Sequence, residues 1–107
     1  MNDLIVRSPY SEEIIGNYKR MNRDEVLDSI QKAHNLFHDP SRKLSKTSRI
    51  EMMENLRTLM IEQREALCEI AVIEGGKPWN DTMVAVDRAI NGVKLAIEQL
   101  SQMGGEE

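Results

Sequence analysis

Apolar residues near the start of the chain occur in two short runs with a turn signal between them. Residues 4–6 and 14–15 are rich in β-branched side chains, whereas residues 8–11 read Ser-Pro-Tyr-Ser. Short β-branched runs on either side of serine and proline are typical of two strands and a turn. The pattern predicts a β-hairpin within residues 1–20. Because an isolated hairpin is only marginally stable in water, we expect it to pack against another part of the protein.

The apolar positions then change to a helical repeat. Four of them are spaced by four, three and four residues and share one helix face: Val26, Ile30, Ala33 and Phe37. This spacing predicts a helix over residues 22–38. Asn22 is the predicted N-cap, with Glu25 as its capping-box partner. Pro40 ends the helix, because proline disfavours helical geometry in the residue before it.

A second helical region covers residues 45–74 and contains a polar stretch at residues 62–65. The region is therefore either one long helix or two helices broken near Gln63. Gly75, Gly76 and Pro78 end it, because glycine suits a helix C-cap and proline cannot continue the helix.

The last helical region covers residues 79–103, and its apolar positions form a seam of five residues: Val86, Ile90, Val93, Ile97 and Leu100. Lys94 and Glu98 are spaced to pair on the helix surface. Gly92 costs about 1 kcal/mol relative to alanine inside a helix, which suggests a close helix crossing at this point. The expected fold is mainly α, with an N-terminal β-hairpin followed by three or four amphipathic helices in a single partial domain, residues 1–107.

Composition narrows the class of protein. The chain has 107 residues, with 18 acidic against 14 basic side chains and a net charge of −4. That balance argues against binding to nucleic acid or to an anionic membrane. No apolar run approaches the roughly 20 residues of a membrane span, and the N-terminal run is too short for a signal peptide. The single cysteine cannot form an internal disulfide, which fits a reducing compartment, so the expected location is cytoplasmic.

Three features could carry chemistry, and each has a simpler interpretation. Cys68 lies within a helical pattern beside Glu69, so we interpret it as an inert, packed thiol. His34 and His38 have a spacing compatible with metal binding, but no third ligand accompanies them, which favours a plain surface role. Residues 74–78 contain two glycines and a lysine, but proline follows where a phosphate-binding loop needs serine or threonine. There is no Gly-x-Gly-x-x-Gly motif either.

A series of short motifs follows a fixed order along the chain: Val6-Arg7-Ser8-Pro9-Tyr10-Ser11, Ile15-Gly16, Asp24-Glu25-Val26, Ala33 with Phe37, Arg49-Ile50 with Met53, Leu67 with Ala71, Glu74-Gly75-Gly76-Lys77-Pro78, Val86-Asp87-Arg88-Ala89-Ile90 and Gly104-Gly105-Glu106. In this order and at these distances, the series resembles the N-terminal segment of the NAD(P)-dependent aldehyde dehydrogenase superfamily. The sequence of residues 86–90 is more similar to the lactaldehyde and semialdehyde dehydrogenase branches than to the betaine-aldehyde branch.

The resemblance implies a scaffold rather than a catalyst. In that family this segment is a hairpin and a set of helices attached to the cofactor-binding domain. The Rossmann-like sheet, the catalytic cysteine and the general-base glutamate come later in the chain. We therefore expect no catalytic and no cofactor-binding residue here. NAD or NADP is implied for the longer enzyme, which is expected to be a homo-oligomer. The expected partner of this segment is the rest of the dehydrogenase chain or a second copy.

The resemblance also implies one possible ligand. Some family members bind a monovalent cation between this segment and later parts of the domain, which would place Asp87 and the backbone near Val6 and Arg7 at that site. Glu12 stands where the family usually has glycine in the turn, so we expect backbone strain there if its φ is positive.

Two functions follow as hypotheses. The first is the N-terminal part of an enzyme that oxidises an aldehyde to a carboxylic acid, with a structural role and no catalysis of its own. The second is a stand-alone helical interaction or dimerisation module, with the seam of residues 86–100 as an exposed groove or dimer face.

Overall fold

The computed structural model describes residues 3–104. It contains two strands, β1 (Leu4–Arg7) and β2 (Ile14–Tyr18), and four α-helices with one 3₁₀ turn. The helices are α1 (Arg23–Phe37), α2 (Lys46–Glu62), α3 (Arg64–Gly75) and α4 (Trp79–Gln102), and the 3₁₀ turn is Pro40–Arg42. The predicted class, a hairpin followed by three or four helices, is confirmed with four. Met1, Asn2 and the Gly105-Glu106 end of the last motif lie outside the described residues.

The chain divides into two compact units, Met1–Leu44 and Ser45–Glu107. The prediction of a single partial domain over residues 1–107 stays a prediction.

The hairpin is antiparallel, with Leu4 opposite Tyr18, and its register shifts between Val6 and Arg7. Ser8 organises the turn, because its amide donates to the Glu13 carbonyl at 2.8 Å and its carbonyl accepts from the Glu12 amide at 2.9 Å. Glu12 has φ 64°, which is the left-handed region that favours glycine. The strain expected at Glu12 is therefore present.

Helix α1 begins as its capping box predicts. The Asn22 side chain accepts from the Glu25 amide at 2.8 Å and donates to the Glu25 carboxylate at 3.0 Å. The first bond satisfies one of the backbone N–H groups that a helix N-terminus leaves unpaired, and the second joins the two side chains. No residue of α1 is buried. The apolar face formed by Val26, Ile30, Ala33 and Phe37 is exposed, and Phe37 has an exposed fraction of 84%.

Residues 45–74 form two helices, so the broken alternative is confirmed. Ser45 caps α2 by accepting from the Ser48 amide at 3.0 Å. Gln63 ends α2, where its amide donates to the Leu59 carbonyl, and its own carbonyl accepts from the Leu67 amide in the first turn of α3. The polar stretch thus marks a real change of helix.

Helix α4 packs against both α2 and α3. Its five seam residues are its buried or half-buried apolar positions along residues 86–100, so the seam is an internal face and not the exposed groove of the module hypothesis. The buried residues of the described chain are Cys68, Thr82 and Ile90. Helix α2 carries a second apolar stripe (Met52, Leu56 and Leu59) that is exposed.

Lys46, in the first turn of α2, bonds to the end of α4. Its ammonium donates to the carbonyls of Ser101 at 2.9 Å and Met103 at 2.8 Å. These carbonyls lie at a helix C-terminus, where a cation interacts favourably with the helix dipole. The lysine therefore ties the beginning of one helix to the end of another.

Two smaller expectations for α4 are wrong. The spacing of Lys94 and Glu98 allows an ion pair, but none forms between them in residues 3–104. A Cβ added at Gly92 would meet nothing within 4 Å, so this glycine serves no close helix crossing. Among the helices described, none is both long enough and apolar enough to cross a membrane.

Candidate functional site

Asp87, the predicted cation ligand, is already paired with a side chain of the protein. Arg64 lies in the first turn of α3 and Asp87 lies on α4, which packs against α3. Arg64 Nη2 donates to Asp87 Oδ2 at 2.8 Å, and Arg64 Nε donates to Asp87 Oδ1. This two-bond arrangement matches the planar fork of a guanidinium to the two oxygens of a carboxylate.

The pair shifts the acidity of both groups. The hydrogen bond from Arg64 holds the pKa of Asp87 below its usual value, and the same bond raises the pKa of Arg64. The two side chains are 37% and 52% exposed, so solvent screens the pair and its contribution to stability is small. Asp87 is therefore ionised at neutral pH, with its charge already compensated by a fixed cation.

A monovalent cation at Asp87 would have to share this carboxylate with Arg64 or displace the guanidinium. Val6 and Arg7 lie on β1 in the first unit and Asp87 lies in the second unit. The cation site stays a prediction.

Cys68 is buried one turn after Arg64, with an exposed fraction of 0%. Its thiol lies 3.8 Å from the Trp79 carbonyl. Burial raises the pKa of Cys68 and outweighs the opposing effect of the Arg64 charge. The side chain is thus held as a neutral thiol, which agrees with the packed residue expected from the sequence and does not suit a nucleophile.

The glycine-rich segment between α3 and α4 is a helix-to-helix turn. Gly76 is the C-cap of α3 with φ 64°, and its amide donates to the Val72 carbonyl. Pro78 is the N-cap of α4, and its carbonyl accepts both the amide and the hydroxyl of Thr82, the latter at 2.8 Å. Each bond lies at the end of its own helix, so Gly76 closes α3, as the C-cap prediction required, and Pro78 begins α4.

The two histidines lie at the C-terminal end of α1, with His34 in its last turn and His38 at its C-cap. Their rings lie 4.3 Å apart between centroids, and both residues are exposed. Within residues 3–104, no group of three or more histidine, cysteine, aspartate or glutamate side chains could hold a metal ion.

Nothing in the hydrophobic and polar pattern identifies Arg64 as the partner of Asp87. The two residues are 23 positions apart and belong to different helices. Spacing within one helix can reveal a pair three or four residues apart, whereas this pair depends on how α3 packs against α4.

The chain belongs to the aldehyde dehydrogenase family, whose model matches residues 2–107. It is 32% identical over 94 residues to a lactaldehyde dehydrogenase of Methanocaldococcus jannaschii, covering 88% of this chain and 20% of that protein. A lactaldehyde dehydrogenase of Methanococcus aeolicus is 29% identical over 104 residues, covering 97% of this chain and 22% of that protein. The chain thus spans about a fifth of the length of these relatives.

The fold agrees with that relationship. The structure is similar to the glyceraldehyde-3-phosphate dehydrogenase GapN of Methanocaldococcus jannaschii, crystallised in complex with NADP. The TM-score is 0.87 at 29% identity, and the match covers 99% of this chain and 23% of the other.

Proposed function

We propose that this chain is the helical scaffold at the N-terminus of an NAD(P)-dependent aldehyde dehydrogenase, which oxidises an aldehyde to a carboxylic acid. Family membership and the fold support the class of enzyme. The observation that carries the scaffold role is the amount of apolar surface that each unit leaves uncovered. In this proposal the remainder of the enzyme covers that surface, in a homo-oligomer located in the cytoplasm.

The uncovered surface is concentrated on two helices. Helix α1 presents Val26, Ile30 and Phe37 to solvent, and α2 presents its stripe of Met52, Leu56 and Leu59. Burying apolar surface stabilises a protein by about 25 cal/mol per Å². Contiguous exposed patches of this kind mark interaction surfaces, because soluble monomers rarely leave them open.

The catalytic chemistry is assigned to the rest of the enzyme. Cys68 is buried and its pKa is raised, so it is not suited to attack an aldehyde. The glycine pair caps α3 and leads directly into α4, so it offers no loop for a dinucleotide phosphate. In this proposal the remainder of the enzyme binds the cofactor and determines the choice of NAD or NADP.

The size of the native product tests the proposal. An antibody raised against this chain should detect, in source cells, a band several times larger than 12.3 kDa. A single band at 12.3 kDa would contradict a role inside a longer enzyme.

An activity assay tests the proposal that catalysis is carried out by the rest of the enzyme and not by this chain. The purified longer enzyme should reduce NAD or NADP when given an aldehyde such as lactaldehyde, and the 107-residue chain alone should not. Replacing Cys68 by alanine in the longer enzyme should preserve turnover, because the thiol takes no part in the reaction. A complete loss of turnover in a folded Cys68→Ala enzyme would refute this assignment.

A second candidate function is the stand-alone interaction or dimerisation module. The observation that favours this function is the exposed apolar stripe of α2, because the α4 seam is covered by other helices. Light scattering of the purified chain would show a compact, cooperatively folded dimer that Leu56→Gln converts to a monomer. The substitution Thr58→Gln, on the same helix but outside the stripe, is the control and should leave the dimer intact.

A further inference from the structure

The two histidines of the chain are one helical turn apart. His34 is in the last turn of α1, and His38 is the C-cap of that helix. The amide of His38 donates to the His34 carbonyl at 3.1 Å, which fixes the spacing of the two residues. Side chains four residues apart lie on the same face of a helix, so the backbone holds the two imidazoles side by side. The chain contains no other histidine.

The two rings are close enough to bind one ion together. Their centroids are 4.3 Å apart, and their planes are tilted by 55°. Two nitrogens that bind the same metal ion at about 2.1 Å each can be at most about 4.2 Å apart. Because both side chains are exposed, rotation of the rings can bring one nitrogen of each within that limit.

The end of α1 also favours a cation. The carbonyl groups of a helix C-terminus carry partial negative charge, and a positive ion is stabilised near them. His34 is the basic residue of the last turn of α1, so no lysine or arginine of that turn occupies the position. The net charge of the chain is −4, which also attracts a cation.

Water has to complete the coordination of such an ion. Asp39 follows His38, but its Oδ1 already accepts from the Ser41 amide at 3.1 Å and from the Ser41 hydroxyl at 2.6 Å. Within residues 3–104 no group of three or more metal-binding side chains is suited to an ion. The two histidines therefore form an open site with two protein ligands, unlike a closed structural site with four.

We propose that His34 and His38 together bind one divalent transition-metal ion of the kind that imidazole prefers, namely Cu²⁺, Ni²⁺ or Zn²⁺. Mg²⁺ and Ca²⁺ prefer oxygen ligands and are not bound at this site. The ion joins the last turn of α1 to its C-cap, and so stabilises a helix that has no buried residue of its own. This site goes beyond the proposed function and does not depend on it.

A calorimetric titration of the 107-residue chain with Ni²⁺ at about pH 7.5 tests the site. We expect one ion per chain, with no competition from an excess of Mg²⁺. His34→Gln and His38→Gln should each weaken binding about ten-fold, because each removes one of the two protein ligands. Ni²⁺ should also raise the thermal midpoint of the parent chain, because a ligand of the folded state stabilises it.

The matched control keeps two histidines but changes their spacing. It combines His38→Gln with Leu36→His, at an exposed position of the same helix. Residues two positions apart on a helix point about 200° away from each other, so this variant should bind Ni²⁺ as weakly as either single variant. Binding by the control or by a single variant within about two-fold of the parent would overturn the site. A thermal midpoint of the parent that Ni²⁺ leaves unchanged would overturn the stabilisation of α1.

Discussion

Arg64 in the first turn of α3 donates two hydrogen bonds to Asp87 on α4, one from Nε and one from Nη2. The pair joins α3, which begins at Arg64, to α4, the helix that packs against it. The residue that the family resemblance points to as a cation ligand is thus engaged by a cation of the protein itself.

The pair should be visible in an acid titration. Because Arg64 holds the pKa of Asp87 below its usual value, the pair stabilises the fold above the ordinary aspartate range near about pH 4. That stabilisation is lost as the pH falls through the lowered pKa. Arg64→Gln should raise the pKa of Asp87 toward its ordinary value, as followed by NMR of the Asp87 carboxyl carbon. Arg88→Gln, which removes a charge from an exposed neighbour on α4, should change it far less.

The buried thiol should make stability fall at alkaline pH. Burial raises the pKa of Cys68, so its contribution is complete below the pKa of an unfolded thiol, about 8.5, and is lost as the pH rises above it. Urea unfolding of the chain at increasing pH should show this decline, and Cys68→Ala should reduce it. Cys68 is the single cysteine, so a thiol reagent can report on it directly, and reaction should be slow until urea unfolds the chain. Rapid reaction in the native state would contradict its burial.

Replacing Gly76 and Gly92 by alanine should change the free energy of unfolding in opposite directions. Gly76→Ala forces a side chain into the left-handed region and should lower the free energy of unfolding by about 1 kcal/mol. Gly92→Ala adds a methyl group that meets nothing within 4 Å, in the interior of α4, and should raise it by about 0.5–1 kcal/mol. Urea midpoints of the two variants against the parent chain measure both changes. A stabilising Gly76→Ala would show that the C-cap does not require glycine.

The hairpin should become more stable when Glu12 is replaced by glycine. Glu12 is held at φ 64°, and glycine adopts that conformation without the steric cost that glutamate bears. We expect Glu12→Gly to stabilise the hairpin by about 0.5 kcal/mol, after allowing for the greater freedom of glycine in the unfolded chain. Amide exchange across the paired residues of β1 and β2 is the measurement. Glu13→Gly, one position further along at an ordinary φ, is the control and should speed exchange.

Local features were predictable from the sequence because neighbouring residues determine them. The Asn22–Glu25 capping box, the break at Gln63 and the glycine C-cap at Gly76 each depend on a few consecutive residues. Contacts between helices were not predictable in this way. Lys46 and Ser101 are 55 positions apart, and only the packing of α2 against α4 brings them together.

The candidate site shows the same limit. Periodicity correctly grouped the five seam residues of α4, but it could not say whether solvent or another helix covers them. The Lys94–Glu98 spacing permits a pair, yet flexible side chains on an exposed surface gain little from forming one. The buried Nε of Arg57, which has no hydrogen-bond partner among the described residues, could not be foreseen at all, because it arises from which atoms the folded helices cover.

The bonds from Lys46 to the carbonyls of Ser101 and Met103 place the first turn of α2 within one side chain's reach of the last turn of α4. The first and last residues of this helical unit therefore lie close together. A unit whose two ends lie close together tolerates replacement well, because its removal leaves only a short gap in the chain. We therefore expect that residues 45–103 can be exchanged between members of the family, with the Lys46 bonds to Ser101 and Met103 holding the two ends of the unit together.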